Sequence, residues 1–262
     1  MADGLLSETI AVFGRWMRKT LRRPPFLFFS LVQPIVWFVL FTQAFNSVTR
    51  VPGFAVVAGT SNFVTFFSAA VIIQTVIASA MQSGMGIVQD IDSGYLDKMR
   101  VAPISRAAIL LGKGMSDAVR IVIQTLVILG LGALLGMTFA TGILGILLLL
   151  VLAAGFGIAW SGISNTIALA TKNSELTLMI SILTTFPLLF LSTAMMPYAF
   201  LPSSVQAIAN YNPITYIADG LHAIVIKGFD WSILGYAFAI TLVVGVITVT
   251  SSTLMFRRAT SS

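Results

Sequence analysis

Cysteine is absent from the 262 residues, and histidine occurs once. These absences remove disulfide scaffolds, thiolate nucleophiles and any Cys- or His-rich metal centre. Charge is nearly as scarce. Asp, Glu, Lys and Arg make up 9% of the chain, against roughly 25% in a soluble domain, too few to cover a water-facing surface. No Gly-x-x-x-x-Gly-Lys-Ser/Thr loop is present to hold a nucleotide, and Gly112-Lys113-Gly114 is too short to replace one. His-Glu-x-x-His and Gly-x-Ser-x-Gly are missing as well. A membrane-embedded enzyme would therefore lack both nucleophile and metal cluster, and none is expected.

What the chain has is apolar residues, 57% of it, gathered in runs. A hydrocarbon core of about 30 Å takes roughly 20 residues of helix. Six stretches meet that length, approximately 26–46, 62–88, 119–136, 141–170, 176–196 and 231–256. The expected fold is an all-α polytopic membrane protein, one domain over residues 1–262 with six transmembrane helices. Region 197–229 is also apolar, but Pro202 and Pro213 break it, and it is not counted as a span.

A net charge of +6 would suit nucleic acid only if the basic residues formed a patch. They lie instead between the apolar runs, so no nucleic-acid partner is expected. Six spans put both termini on one side. Every Lys and Arg except Arg50 and Lys227 then falls on that side, and the positive-inside rule makes both termini cytoplasmic. The basic N-terminal stretch leads into a full-length span, so no cleaved leader is expected.

Residues 5–23 have a helical period. Leu6, Ile10, Phe13, Met17 and Leu21 share one side, and Arg15, Arg18, Lys19 and Arg22 the other. This predicts a helix lying in the membrane interface, its basic face toward anionic lipid headgroups. A plain basic cluster that sets orientation is the other reading. Pro24-Pro25 then turns the chain into the first span.

The most polar stretch is 89–106, where Asp90, Asp92 and Asp97 fall within eight positions. Tyr95, Leu96 and Met99 need covering, Pro103 stops the segment, and Ser105 is placed to cap the next helix. A short helix docked on a partner and a solvated loop both fit.

Within the spans, charge is rare, which disfavours an ion-coupled pathway. Asp117, Arg120 and Glu175 are read as interfacial. Gln33, Gln43, Gln74, Gln82, Gln124 and Asn165 must find partners or water, and their spacing does not say which face a path. Small residues at four-residue spacing predict close helix packing: Ala153, Gly157, Ser161 and Asn165, and Gly132 with Gly136. Pro34 and Pro187 are expected to bend spans one and five. In 197–229, Pro197 and Pro202 mark turns, and Asn212 caps a helix that starts at Pro213. A re-entrant helical hairpin and a helix lying flat on the bundle both account for this segment. Asp219 and His222, three apart, form either a packing pair or a substrate site.

Two motifs resemble a known family. The first is Asp92-Ser93-Gly94-Tyr95-Leu96-Asp97, then Arg100-Val101-Ala102-Pro103-Ile104-Ser105-Arg106 and Leu110-Leu111-Gly112-Lys113. The second is Asn212-Pro213-Ile214-Thr215-Tyr216, continuing to Asp219-Gly220-Leu221. Together they resemble the ABC-2 type permeases, the membrane subunits of ATP-driven exporters of drugs, lipids and polysaccharides. Two departures stand out. The family usually has Glu and a basic residue before the loop glycine, where this chain has Asp92-Ser93. Relatives often carry Arg where this chain has His222.

The resemblance implies a homodimer of permeases in a prokaryotic plasma membrane, paired with two ATPase subunits that bind the ATP and magnesium. This chain would hold no cofactor and would not itself be an enzyme. Asp90, Asp92, Gly94, Tyr95, Leu96, Asp97, Met99 and Arg100 would form the helix that rests on the ATPase. Asn212, Pro213, Thr215 and Asp219 would belong to an outer gate on a re-entrant hairpin. The apolar interior fits a hydrophobic or amphipathic cargo, drug or lipid. The alternative is a secondary transporter or channel that works without an ATPase.

Overall fold

The computed structural model describes residues 2–22, 24–95, 98 and 105–261. These residues are helical, with no strand among them. Helix α1 is Ala2–Leu21 and α2 is Pro24–Ala44. A 3₁₀ turn at Asn46–Arg50 and the short helix α3, Phe54–Ala58, lead into α4, Phe63–Asp92. Then come α5 (Arg106–Leu134), α6 (Gly142–Thr171) and α7 (Ser174–Phe190). Two short helices, α8 (Ser203–Ala209) and α9 (Pro213–His222), and a π turn at Ala223–Lys227 precede α10, Trp231–Ser261.

The helices start where polar caps satisfy their first N–H groups. The side chains of Asn62, Ser105, Asn173 and Asn212 accept from the backbone N–H of Thr65, Ala108, Leu176 and Ile214. Ser105 and Asn212 cap as the sequence predicts.

Among the described residues, four helices are long and apolar enough to cross a membrane: α4, α5, α6 and α10. At 30 residues, α4 and α6 are each about 45 Å long. The apolar helix α2 has 21 residues and α7 has 17. Helix α4 is the axis of the bundle, and α5, α6, α2 and α7 pack around it. Helix α10 lies along the far side of α6. The main apolar core runs through these helices, around Phe38, Ile72, Ile73, Leu149 and Phe156. A second core closes one end of the bundle, where Val12 and Trp16 of α1 meet Ile87, Ile109, Leu169 and Phe256.

Small residues allow this packing, as their spacing predicts. Ala153, Gly157, Ser161 and Asn165 are all buried on α6. Gly84 of α4 lies so close to α6 that an added Cβ would sit 2.6 Å from the Ser164 carbonyl oxygen.

Several boundaries differ from the sequence reading. Helix α4 runs past 88 to Asp92, so Asp90 and Asp92 sit on its last turn. Helix α5 begins at Arg106, behind the cap the sequence places at Ser105, so the span read from 119 is the later part of a longer helix. Asp117 and Arg120 are consequently mid-helix and buried, at 3% and 9% exposure, where the sequence reading had them interfacial. Helix α1 packs against α5 through Thr9, Val12 and Trp16, leaving Leu6, Ile10 and Leu21 exposed. Its basic side is divided: Arg18 and Arg22 are exposed, whereas Arg15 and Lys19 turn onto α4.

Candidate functional site

One candidate site is a cavity of about 380 Å³ between α2, α4 and α7. That is within the usual range of ligand pockets, roughly 300–1,000 Å³. Its walls are mostly apolar: Pro34 from α2, Ile77, Met81 and Met85 from α4, and Leu178, Ile182, Phe186 and Leu189 from α7. Methionines suit such a wall because their thioether chains adapt to differently shaped partners. Polar groups are few, namely Ser30, Gln33, Gln74, Gln82 and Thr185. The Gln82 Oε1 is buried without a partner. Ser30 accepts from Gln124 at 2.8 Å, and Thr185 accepts from the Trp160 indole at 3.1 Å. Three of the six span amides therefore line the cavity, Gln33, Gln74 and Gln82. Asn165 instead lies 3.1 Å from the Ser83 hydroxyl, and Gln43 is exposed.

Below this cavity lies a charged joint. Asp117 pairs with Lys113 at 3.0 Å and with Arg120 at 2.8 Å, both on its own helix. Ser83 of α4 donates to Asp117 and accepts from Lys113. Arg120 reaches the hydroxyl and carbonyl of Ser79 at 2.9 and 2.8 Å. Sequence reasoning missed Lys113. The signal was present: Lys113, Asp117 and Arg120 follow at i, i+4 and i+7, one face of a helix, opposite Ser79 and Ser83 at i and i+4.

At the end of α4, Asp90 is 3% exposed and accepts from Arg15 and Lys19, each at 2.8 Å. The Arg15 guanidinium also lies 3.4 Å from the Tyr95 ring centre, a cation–π contact. Asp92 is exposed. Gly94 has φ +65°, a left-handed turn that glycine adopts without strain and that takes the chain off α4. Leu96, Asp97, Met99 and Arg100 lie outside the described residues. Of the proposed ATPase-docking residues, the structure thus brings Asp90 and Tyr95 together with Arg15.

At the opposite end, the Asn212 amide ties α9 to the end of α7, donating to the carbonyls of Leu188 and Leu191 at 2.6 and 2.8 Å. Pro213 is the first residue of α9, as predicted. Thr215 is buried, its hydroxyl without a partner. Asp219 accepts from Thr193 at 2.7 Å. His222 stacks on Phe66, ring centres 4.6 Å apart, and its Nε2 donates to the Phe66 carbonyl at 3.1 Å. Asp219 and His222 both line a cavity of about 310 Å³ with Tyr198 and Lys227. Burial raises the Asp219 carboxyl above the usual carboxylate range, and the Thr193 hydrogen bond and Lys227 oppose it. Burial lowers His222 to about 4.

Comparison with known proteins agrees with this architecture. The profile described as ABC-2 type transporter matches residues 7–226. A putative transport permease, ycf38, of Cyanophora paradoxa is 31% identical over 218 residues, 82% of this chain and 72% of that protein. The daunorubicin resistance ABC transporter permease protein DrrB1 of Streptomyces coeruleorubidus is 26% identical over 215 residues, 81% of this chain and 73% of that protein. A probable doxorubicin resistance ABC transporter permease protein, DrrC, of Mycobacterium tuberculosis is 27% identical over 135 residues, 52% of this chain and 49% of that protein. The chain is an integral membrane protein and belongs to the ABC-2 type transporter family.

Proposed function

We propose that this chain is the permease subunit of an ATP-driven exporter that moves a hydrophobic or amphipathic compound, drug or lipid, outward across a prokaryotic plasma membrane. The observation that carries the reading is the cavity between α2, α4 and α7, an apolar chamber with three amides and two hydroxyls. Such a lining suits a cargo that is mostly apolar with a few hydrogen-bonding groups. The resistance permeases named above are relatives of the fitting kind.

The proposed arrangement has six spans, α2 and α7 completing the four long helices, with both termini cytoplasmic. Helix α1 lies in the inner interface, exposing Leu6, Ile10 and Leu21 to lipid. The segment 197–229 forms a re-entrant pair that lids the exit. Two permease copies pair with two ATPase subunits, which supply ATP and magnesium. ATPase closure pushes on the segment after α4, with Tyr95, Leu96 and Met99 filling the ATPase groove and Asp92 and Asp97 setting register. The push reaches the cavity because Asp90 joins α4 to α1 through Arg15 and Lys19, and α4 itself forms one cavity wall. A force acts on an equilibrium only through contacts that differ between its two states, and this joint supplies a rigid one.

The test is reconstitution in vesicles with and without the cognate ATPase. Cargo should accumulate only with both proteins and ATP. Leu96→Asp should leave hydrolysis uncoupled from transport while membrane insertion is normal. Gln74→Leu should shift the half-maximal concentration of a hydrogen-bonding cargo by roughly 2–10-fold, one lost hydrogen bond. Uphill transport by the permease alone would exclude the reading.

A further inference from the structure

A second, much smaller cavity of about 40 Å³ lies between α1, α4 and α5. Trp16, Lys19, Gln82, Ser83, Lys113 and Arg120 line it. Its charge is out of balance. Three basic side chains line it, Lys19, Lys113 and Arg120, and no carboxylate does; among the described residues their ion-pair partners are Asp90, shared with Arg15, and Asp117. Lys113 and Arg120 are 4% and 9% exposed, so bulk water screens them little. Buried charge without a counter-charge is costly, and an anion in the cavity would offset it.

An unused donor points the same way. Trp16 is 7% exposed, and its indole Nε1 is buried with no acceptor. The ring gathers cations around it: Lys113 Nζ lies 4.5 Å from its centre, Lys19 Nζ 4.7 Å and Arg15 Cζ 5.1 Å. Buried N–H groups in native proteins nearly always find an acceptor. Size narrows the choice further. A water needs roughly 10–15 Å³ of such volume, so this cavity takes a group of a few heavy atoms and excludes a nucleotide.

We infer that the cavity binds the phosphoryl group of an anionic lipid from the leaflet at this end of the bundle. Its oxygens meet the Trp16 indole N–H and the cationic ends of Lys19, Lys113 and Arg120, as charge-assisted hydrogen bonds. Free phosphate shares the headgroup's chemistry, and the experiment separates the two. Naming the leaflet as cytoplasmic rests on the orientation proposed above, whereas the binding itself does not.

The test is native mass spectrometry of the detergent-purified full chain, titrated with phosphatidylglycerol or phosphatidylcholine. Phosphatidylglycerol should be retained at one molecule per chain, with at least a tenfold lower Kd than phosphatidylcholine. Trp16→Phe keeps the ring and removes the donor, and should raise that Kd roughly tenfold. Lys19→Gln should act in the same direction, and carries the test should Trp16→Phe fail to give a monodisperse helical protein. Arg18→Gln with Arg22→Gln, on the exposed side of α1, should leave the Kd unchanged. Equal retention of the two lipids overturns the inference, as does an unaltered Kd in both Trp16→Phe and Lys19→Gln. Loss of retention in the Arg18/Arg22 double variant alone would move the lipid to the helix surface and overturn the cavity site. Displacement of lipid by millimolar inorganic phosphate would assign the site to free phosphate and overturn the lipid source. None of these measurements involves an ATPase, so failure here leaves the exporter reading standing.

Discussion

Arg15 grips both carboxylate oxygens of Asp90, at 2.8 and 3.0 Å, across 75 residues of sequence. That two-point contact, with Lys19 on the same carboxylate, fastens α1 to the end of α4. Planar guanidinium and carboxylate groups matched in this way resist rotation as well as separation. The joint is therefore stiff.

Asp90→Asn keeps the shape and removes the charge. It should lower stability by about 1–2 kcal/mol, because the partners are partly exposed and partly screened. The readout is a lower melting temperature in detergent. Combining it with Arg15→Gln should cost less than the sum of the two changes, since both remove the same interaction. Full additivity would mean the contact does not couple the helices.

Gly84→Ala tests the closeness of α4 and α6. The new Cβ would meet backbone, the Ser164 carbonyl oxygen at 2.6 Å, which cannot swing away as a side chain would. A loss of about 1–3 kcal/mol is expected. Gly130→Ala, where nothing lies within 4 Å, should be neutral or stabilise by up to about 1 kcal/mol. Thermal melts of the two variants give the contrast.

Asn212→Ala removes a helix cap and two bonds to the end of α7 at once. The cap alone is worth about 0.5–2 kcal/mol, and two carbonyls lose a donor in a place where Asn212 is 2% exposed. A total near 3 kcal/mol is expected. Because the amide bridges α7 and α9, proteolysis of 197–212 should accelerate before the bundle melts.

His222 makes stability depend on acidity. Its folded value is about 4, below the usual 6.5, so the unfolded chain takes up a proton first as pH falls. Its contribution is present above about pH 6.5 and is lost as pH drops toward 4. The melting temperature should fall across that window, and His222→Gln, which can still donate to the Phe66 carbonyl, should flatten the slope. An unchanged slope would show that another group titrates there.

Much of the helical layout was legible because hydropathy and capping are local. A run of apolar residues marks a helix wherever it packs, and Ser105 and Asn212 announce helix starts by their own side chains. Helix α5 shows the limit. Hydropathy started that span at 119 because Lys113 and Asp117 read as polar, although Ser105 already marked the helix cap. Their mutual ion pairs and the Ser79 and Ser83 hydroxyls arriving from α4 make that charge tolerable inside the bundle. The same holds for the amides. Gln33, Gln74 and Gln82 look no different in sequence from Gln124, yet the first three line a cavity and the fourth is held by Ser30.

Composition and hydropathy, then, determined a membrane protein of long apolar helices. Tertiary structure decided which polar side chains pair and which face open space. The physical reason is that burying apolar surface is roughly additive along the chain, whereas a hydrogen bond or ion pair exists only when a second group arrives at the right distance. For Asp90 that second group is Arg15, and nothing in either residue's neighbourhood of sequence names the other.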